Sequence, residues 1–190
     1  FAAPMIAYSL TKIPWKGAKY IFPLILATMM IPWQVTQIPL FITWSKLGLV
    51  NTFVPLVLPA FFGTPYYIYL MRQFVKGLPD SVIEAARIDG AGPWRFFVDV
   101  VLPLSRTNTA ALFVVLFIYG WNQYLWPLLV TNQESMYTIV MGIQRMVNIP
   151  DAVPEWNLIM AGALLGMLPP LLVVLGMQKL FVRGLVETEK

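Results

Sequence analysis

The chain has 190 residues, of which 58% are hydrophobic and only 12% charged, with a net charge of +4; an average soluble domain carries about 25% charged residues. That balance excludes an ordinary soluble globule, a disordered chain and a basic nucleic-acid module. Cysteine and histidine are both absent, which removes disulfides, thiol nucleophiles, iron–sulfur ligands, imidazole-ligated zinc, histidine triads and histidine pH switches.

In chain order, residues 1–11 carry no charge and are followed by Lys12, Lys16 and Lys19. The stretch is shorter than the about 20 residues a span needs, and its charges follow the apolar run, whereas a signal peptide puts them before it. It is expected to be the inner end of a membrane helix that begins before Phe1. Four longer uncharged runs follow, at 20–45, 47–71, 107–133 and 156–178. Each is long enough to cross about 30 Å of hydrocarbon. The expected spans are therefore about 20–44, 52–71, 108–130 and 157–178, in an all-α polytopic membrane bundle.

The cations set the direction. Lys12, Lys16, Lys19, Arg72, Lys76, Arg87, Arg95, Arg106, Lys179, Arg183 and Lys190 fall on one side of these spans, and Lys46 and Arg145 on the other. The first side is expected to be cytoplasmic. Residues 76–106 then form a cytoplasmic loop, 131–157 an outer loop, and the C-terminus lies inside. Trp15, Trp44, Trp126 and Trp156 fall near span ends, where indoles favour the headgroup region.

The spans are rich in proline, including Pro23, Pro32, Pro39, Pro55, Pro59, Pro65, Pro127, Pro169 and Pro170. Each frees a backbone carbonyl, which in a membrane must find a donor on a neighbouring helix, a side chain or water. Gly162 and Gly166 have the spacing that permits close helix contact.

Residues 79–103 read as two short helices with a break. Ser81 and Glu84 have capping-box spacing, Ala85 to Ile88 propagate a helix well, and Gly90 can take the left-handed conformation that ends it. Pro93 suits the first turn of a second helix, expected to stop at Pro103. Val82, Ile83, Ala86 and Gly90 can share one apolar face, shaped to enter a groove on a soluble partner or to lie on lipid. Asp80, Glu84, Asp89 and Asp99 largely cancel Arg87 and Arg95, which weakens the lipid alternative.

Here the sequence resembles a family. Glu84-Ala85-Ala86, Gly90 and Val100-x-Leu102-Pro103 match the EAA loop of binding-protein-dependent ABC importers, with Val100 in place of isoleucine. Leu78-Pro79, Arg87-Ile88-Asp89-Gly90-Ala91 and Leu102-Pro103-Leu104-Ser105 are similar to MalG-type carbohydrate permeases. Residues 117–129 (with Trp121-Asn122-Gln123-Tyr124-Leu125-Trp126-Pro127) and the tail 181–187, ending in Glu189-Lys190, resemble the UgpE-type permeases of glycerol-3-phosphate importers.

The resemblance implies a MetI-like permease fold. It implies that Glu84, Ala85, Ala86, Asp89, Gly90, Leu102 and Pro103 couple the chain to a separate ATP-hydrolysing subunit. The implied partners are a second permease subunit, an ATP-binding subunit dimer and an extracytoplasmic solute-binding protein, which would meet residues Met136 to Pro154. ATP and Mg would be used by the partner, and no cofactor is expected in this chain. In agreement, the sequence has no GxxxxGK[ST] phosphate loop, and Gly90-x-Gly92 lacks the third glycine of a dinucleotide fingerprint.

A solute needs a polar path. Tyr119, Trp121, Asn122, Gln123 and Tyr124 combine stacking faces with amides, as a sugar or polyol would require; Gln34 and Gln37 are further candidates. The same groups could instead bond neighbouring helices or lie at the outer interface. No charge falls inside the four expected spans, which favours a neutral sugar, whereas the motif resemblance favours sn-glycerol 3-phosphate. An ion-coupled carrier would place an ionisable group inside a span, and a membrane enzyme would need convergent acid, base or metal groups; neither pattern is present.

Overall fold

A computed structural model describes residues 2–148 and 153–186, with side chains for all of these except Asp80, Arg87 and 180–186. The described residues are helical, with no strand. The elements are α1 (Ala2–Thr11), α2 (Ala18–Thr28), α3 (Trp33–Lys46), α4 (Val54–Val57, continued by a 3₁₀ turn Leu58–Phe62), α5 (Pro65–Lys76) and α6 (Asp80–Ile88). They continue with α7 (Pro93–Leu104), then α8 (Arg106–Trp121), α9 (Leu125–Val130), α10 (Ile139–Val147) and α11 (Trp156–Val186).

Among the described residues, Val54–Lys76 and Trp156–Lys179 are long and apolar enough to cross a membrane, with mean hydropathy 1.3 and 2.4. Two further candidates arise if α2 with α3, and α7 with α8, each count as one broken span. The uncharged run 20–45 is thus interrupted between Thr28 and Trp33, and the run 107–133 between Trp121 and Leu125. Arg72 and Lys76 belong to the helix of the candidate span Val54–Lys76, so that stretch does hold cations, unlike the expected span ending at residue 71.

The chain forms two compact units. One comprises 1–32, 60–112 and 179–190; its core joins Ala7 and Tyr8 of α1, Met71 and Val75 of α5, and Phe96, Phe97 and Val101 of α7. Tyr8 stacks on Phe97 with ring centroids 5.5 Å apart. In the same unit the Arg72 guanidinium lies 3.8 Å over the Phe22 ring, and Phe22 stacks on Tyr69. The cation–π contact is a favourable place for a charge beside apolar helices.

The other unit comprises 33–59 and 113–178. Its core is built on Trp44, Trp126 and Val130. These two tryptophans, expected at headgroup level, are therefore packed inside protein, while Trp15 and Trp156 are exposed. Trp33 meets Trp126 edge-on, with centroids 5.7 Å apart.

Candidate functional site: the coupling element and the polar break

The segment from Pro79 to Leu104 lies in the first unit. Helix α6 opens at Asp80, one residue before Ser81, and the Val82 N–H donates to the Pro79 carbonyl at 3.1 Å. Ser81 is thus inside the first turn and not at its cap, because the proline already turns the chain. At the other end Gly90 has φ +71°, and the Ala91 N–H reaches back to the Ala86 carbonyl at 2.9 Å. This is the six-to-one bond of a Schellman ending, in which a left-handed glycine lets the chain close on the last turn.

Pro93 follows at the first position of α7, behind Gly92 in extended conformation. Phe97–Val101 then widens into a π-turn. The Leu102 N–H donates to the Phe97 carbonyl, five residues back. Pro103 does not stop this helix. It sits inside it, and the break falls at Ser105, where α7 and α8 are bent by 71°. A proline lacks the N–H that would bond the carbonyl of Asp99, and the widened turn accommodates that loss.

The apolar face of α6 is turned differently from the expectation. Val82, Ile83 and Ala86 pack on the core of their own unit. The outward face carries Glu84, Ala85, Asp89 and Gly90, all exposed, together with Ile88, which is 85% exposed. Trp94, 67% exposed, extends this surface onto α7. Of the residues assigned to coupling, Ala86 and Leu102 support the element from within, while Glu84, Ala85, Asp89, Gly90 and Pro103 are presented outward. Ile88 and Trp94 add exposed apolar surface that the sequence reading did not single out; for Ile88 the signal is an apolar residue on the polar side of the amphipathic α6.

The polar candidates of the second unit lie at the break between α8 and α9. Trp121 donates its indole N–H to the Gly166 carbonyl of α11 at 3.0 Å. That carbonyl has no helical donor, because the residue four positions on is Pro170. The same substitution occurs nearby, where the Trp126 indole donates to the Pro55 carbonyl at 3.1 Å, freed because the residue four on is Pro59. Asn122 turns its amide N–H back to the Ile118 carbonyl at 2.8 Å, closing the end of α8.

So the indole N–H of Trp121 and one amide N–H of Asn122 bond backbone, which is the helix-bonding alternative. Tyr119 is exposed, Gln123 and Tyr124 are half-buried, Gln34 is exposed and Gln37 is buried. The structure brings Trp121 to Tyr124 together by sequence proximity at one break; Gln34 and Gln37 lie on α3, whose Trp33 packs on α9's Trp126.

The segment expected to lie outside contains α10. The Thr138 hydroxyl accepts from the Met141 N–H at 3.3 Å, which caps the helix. Arg145 pairs with Glu134 at 3.5 Å and lies over Tyr137. Of the expected binding-protein contact Met136 to Pro154, residues 149–152 lie outside the described residues, as do 187–190 of the tail.

The spacing of Gly162 and Gly166 is used by α10. A Cβ on Gly166 would meet Ile139 and Ile143 side chains at 3.4 Å. Gly166→Val is therefore expected to push α10 away and destabilise the unit by about 1–3 kcal/mol. Gly176→Ala, whose Cβ meets nothing within 4 Å, should not. Thermal unfolding of the detergent-purified proteins checks both, and equal midpoints would contradict the contact.

The comparisons with known proteins agree with the resemblance carried by the EAA-type loop. The sn-glycerol-3-phosphate transport system permease protein UgpE of Agrobacterium fabrum is 52% identical over 169 residues, covering 89% of this chain and 60% of the relative. UgpE of Brucella melitensis is 48% identical over 186 residues, covering 98% of this chain and 66% of the relative. The chain thus spans less than two thirds of the length of these curated relatives.

A chain of a bacterial ABC transporter involved in the import of the acidic polysaccharide alginate superposes with TM-score 0.77 at 24% identity, over 94% of this chain and 66% of that one. The fold is accordingly the all-helical, MetI-like fold of an ABC importer permease. The family model described as binding-protein-dependent transport system inner membrane component matches residues 2–187, and the chain belongs to that family.

Proposed function

We propose that the chain is the transmembrane part of a permease subunit in an ATP-driven, binding-protein-dependent importer of a carbohydrate-type solute, and that the solute is sn-glycerol 3-phosphate. The observation that carries the reading is the outward face of α6 and α7. A rigid helix, ended by Gly90 and exposing Glu84, Ala85, Ile88 and Asp89, is a surface that a soluble motor subunit can grip. The solute follows from the UgpE relatives.

In this reading ATP and Mg are consumed by two ATP-binding subunits, a second permease completes the pathway, and an extracytoplasmic binding protein delivers solute to the 136–154 segment. The chain sits in the bacterial inner membrane with spans about 20–44, 52–71, 108–130 and 157–178. The C-terminus and the 76–106 loop are cytoplasmic in this reading, which the distribution of lysine and arginine supports. Glu84, Ala85, Ala86, Asp89, Gly90, Leu102 and Pro103 form the coupling element. Tyr119, Gln123 and Tyr124 are the side chains offered to the solute, with Trp121 and Asn122 holding the break that presents them; exposed Gln34 on α3 is a further candidate, and Gln37 is buried. Coupling requires the motor to bind this element with different strength in its two states; otherwise nothing is driven.

The test is the purified complete transporter in liposomes with its binding protein. Glycerol 3-phosphate is expected to raise ATP hydrolysis and to accumulate inside, and a disaccharide is not. Stimulation by the disaccharide alone would overturn the solute assignment. Uptake that persists without ATP would overturn the transporter class.

A further inference from the structure

We propose that Tyr8 and Lys12 are positioning residues that tether both ends of the coupling element to α1, so that movement of the element is passed to that helix. The inference rests on the coupling role proposed above and adds the route by which force leaves the loop.

The two residues are one helical turn apart at the end of α1, and each reaches a backbone carbonyl far along the chain. Lys12 donates from Nζ to the Leu78 carbonyl at 3.0 Å, where the chain enters α6. Tyr8 donates from its hydroxyl to the Pro93 carbonyl at 3.1 Å, where the chain leaves the Gly90 turn and starts α7. The tethers therefore bracket the element at entry and exit. Tyr8 is buried and its ring is also held by Phe96 and Phe97, with centroids 5.9 and 5.5 Å away.

Between the tethers the packing is incomplete. A cavity of about 260 Å³ lies between α1 and the inner face of the element, bordered by Tyr8, Lys12, Ile13, Ile83, Ala86 and Pro93 among others. Apolar contact transmits displacement only where atoms touch; beside the packing of Val82, Ile83 and Ala86 on the core, the two hydrogen bonds add directional links at the entry and exit of the element. Both acceptors are main-chain atoms, which ties the tethers to the path of the backbone and not to a side-chain rotamer.

The experiment uses the full-length permease assembled with its partner permease, ATP-binding subunits and binding protein in liposomes. Solute taken up per ATP hydrolysed is measured for Tyr8→Phe, Lys12→Met and Lys12→Arg. Tyr8→Phe keeps the rings and removes one bond; it and Lys12→Met are each expected to lower the ratio about fivefold, the change in state populations that follows from one net hydrogen bond. Lys12→Arg should restore it.

A role in stability alone would lower uptake and hydrolysis together and leave the ratio unchanged; an unchanged ratio in either variant overturns the inference. So does failure of Lys12→Arg to rescue. If a variant does not assemble, amide exchange of residues 79–93 in the membrane-inserted chain decides: wild-type protection overturns the tether and faster exchange supports it. Gly90→Pro serves as the control. If it too keeps the wild-type ratio, the coupling reading itself fails; if it uncouples while the tether variants do not, only the tether fails.

Discussion

Gly90→Pro is expected to reduce ATP-driven uptake by at least about tenfold while the permease still inserts in the membrane. Gly90 stands at φ +71°. Proline is locked near −65°, so the Ala91 to Ala86 bond that ends α6 cannot form and the exposed end of the helix is redirected. A loss of about 1.4 kcal/mol at a coupling contact is already a factor of ten. Nothing lies within 4 Å of a Cβ on Gly90, so the effect is one of backbone conformation and not of crowding.

Glu84→Lys tests the same surface by charge. Glu84 is exposed on the outward face of α6, where its reversal leaves the inner packing on Val82, Ile83 and Ala86 untouched. It should lower uptake at normal membrane abundance. Wild-type uptake in both variants, measured in vesicles with quantitation of the inserted chain, would remove the coupling assignment.

Trp126→Phe carries the largest expected cost in stability for a conservative change. It removes the indole donor to the Pro55 carbonyl, and Pro59 cannot replace it. An orphaned buried carbonyl costs about 1–3 kcal/mol. Trp126→Ala adds the loss of packing in the Trp44–Val130 core and of the edge contact with Trp33, for a total of about 3–5 kcal/mol.

The mechanism has an internal check. Pro59→Ala returns an N–H to the position four residues after Pro55, so the penalty of Trp126→Phe should shrink in the Pro59→Ala background. Thermal unfolding of the four proteins in detergent gives the coupling energy of the cycle. Additive midpoint shifts would show that the indole is not standing in for the missing amide.

Much of this architecture is written in short stretches of sequence. The uncharged runs announced membrane helices, and Gly90 and Pro93 announced the end of α6 and the start of α7. The match at Glu84-Ala85-Ala86, Gly90 and Leu102-Pro103 pointed to the family that the comparisons bear out. Other readings changed in three dimensions. Ser81 is not a cap because Pro79 starts the turn earlier, Pro103 is absorbed by a widened turn, and Trp44 and Trp126 are packed in a protein core.

By itself, then, the sequence determined which segments are apolar enough to enter a membrane, where α6 ends, and to which family the chain belongs. Each of those depends on residues a few positions apart, through hydrophobic length, backbone preference or a fixed motif. Only the tertiary structure decided that the apolar face of α6 turns inward and that its polar face, with Ile88, is the one on offer. It also decided which tryptophan fills which proline-freed carbonyl, and that Tyr8 and Lys12 bracket the loop. Those outcomes rest on partners separated by 45, 66, 71 and 85 residues. A donor's side chain and a distant acceptor carbonyl share no local signal, because every residue carries such a carbonyl and only packing selects the one that is met.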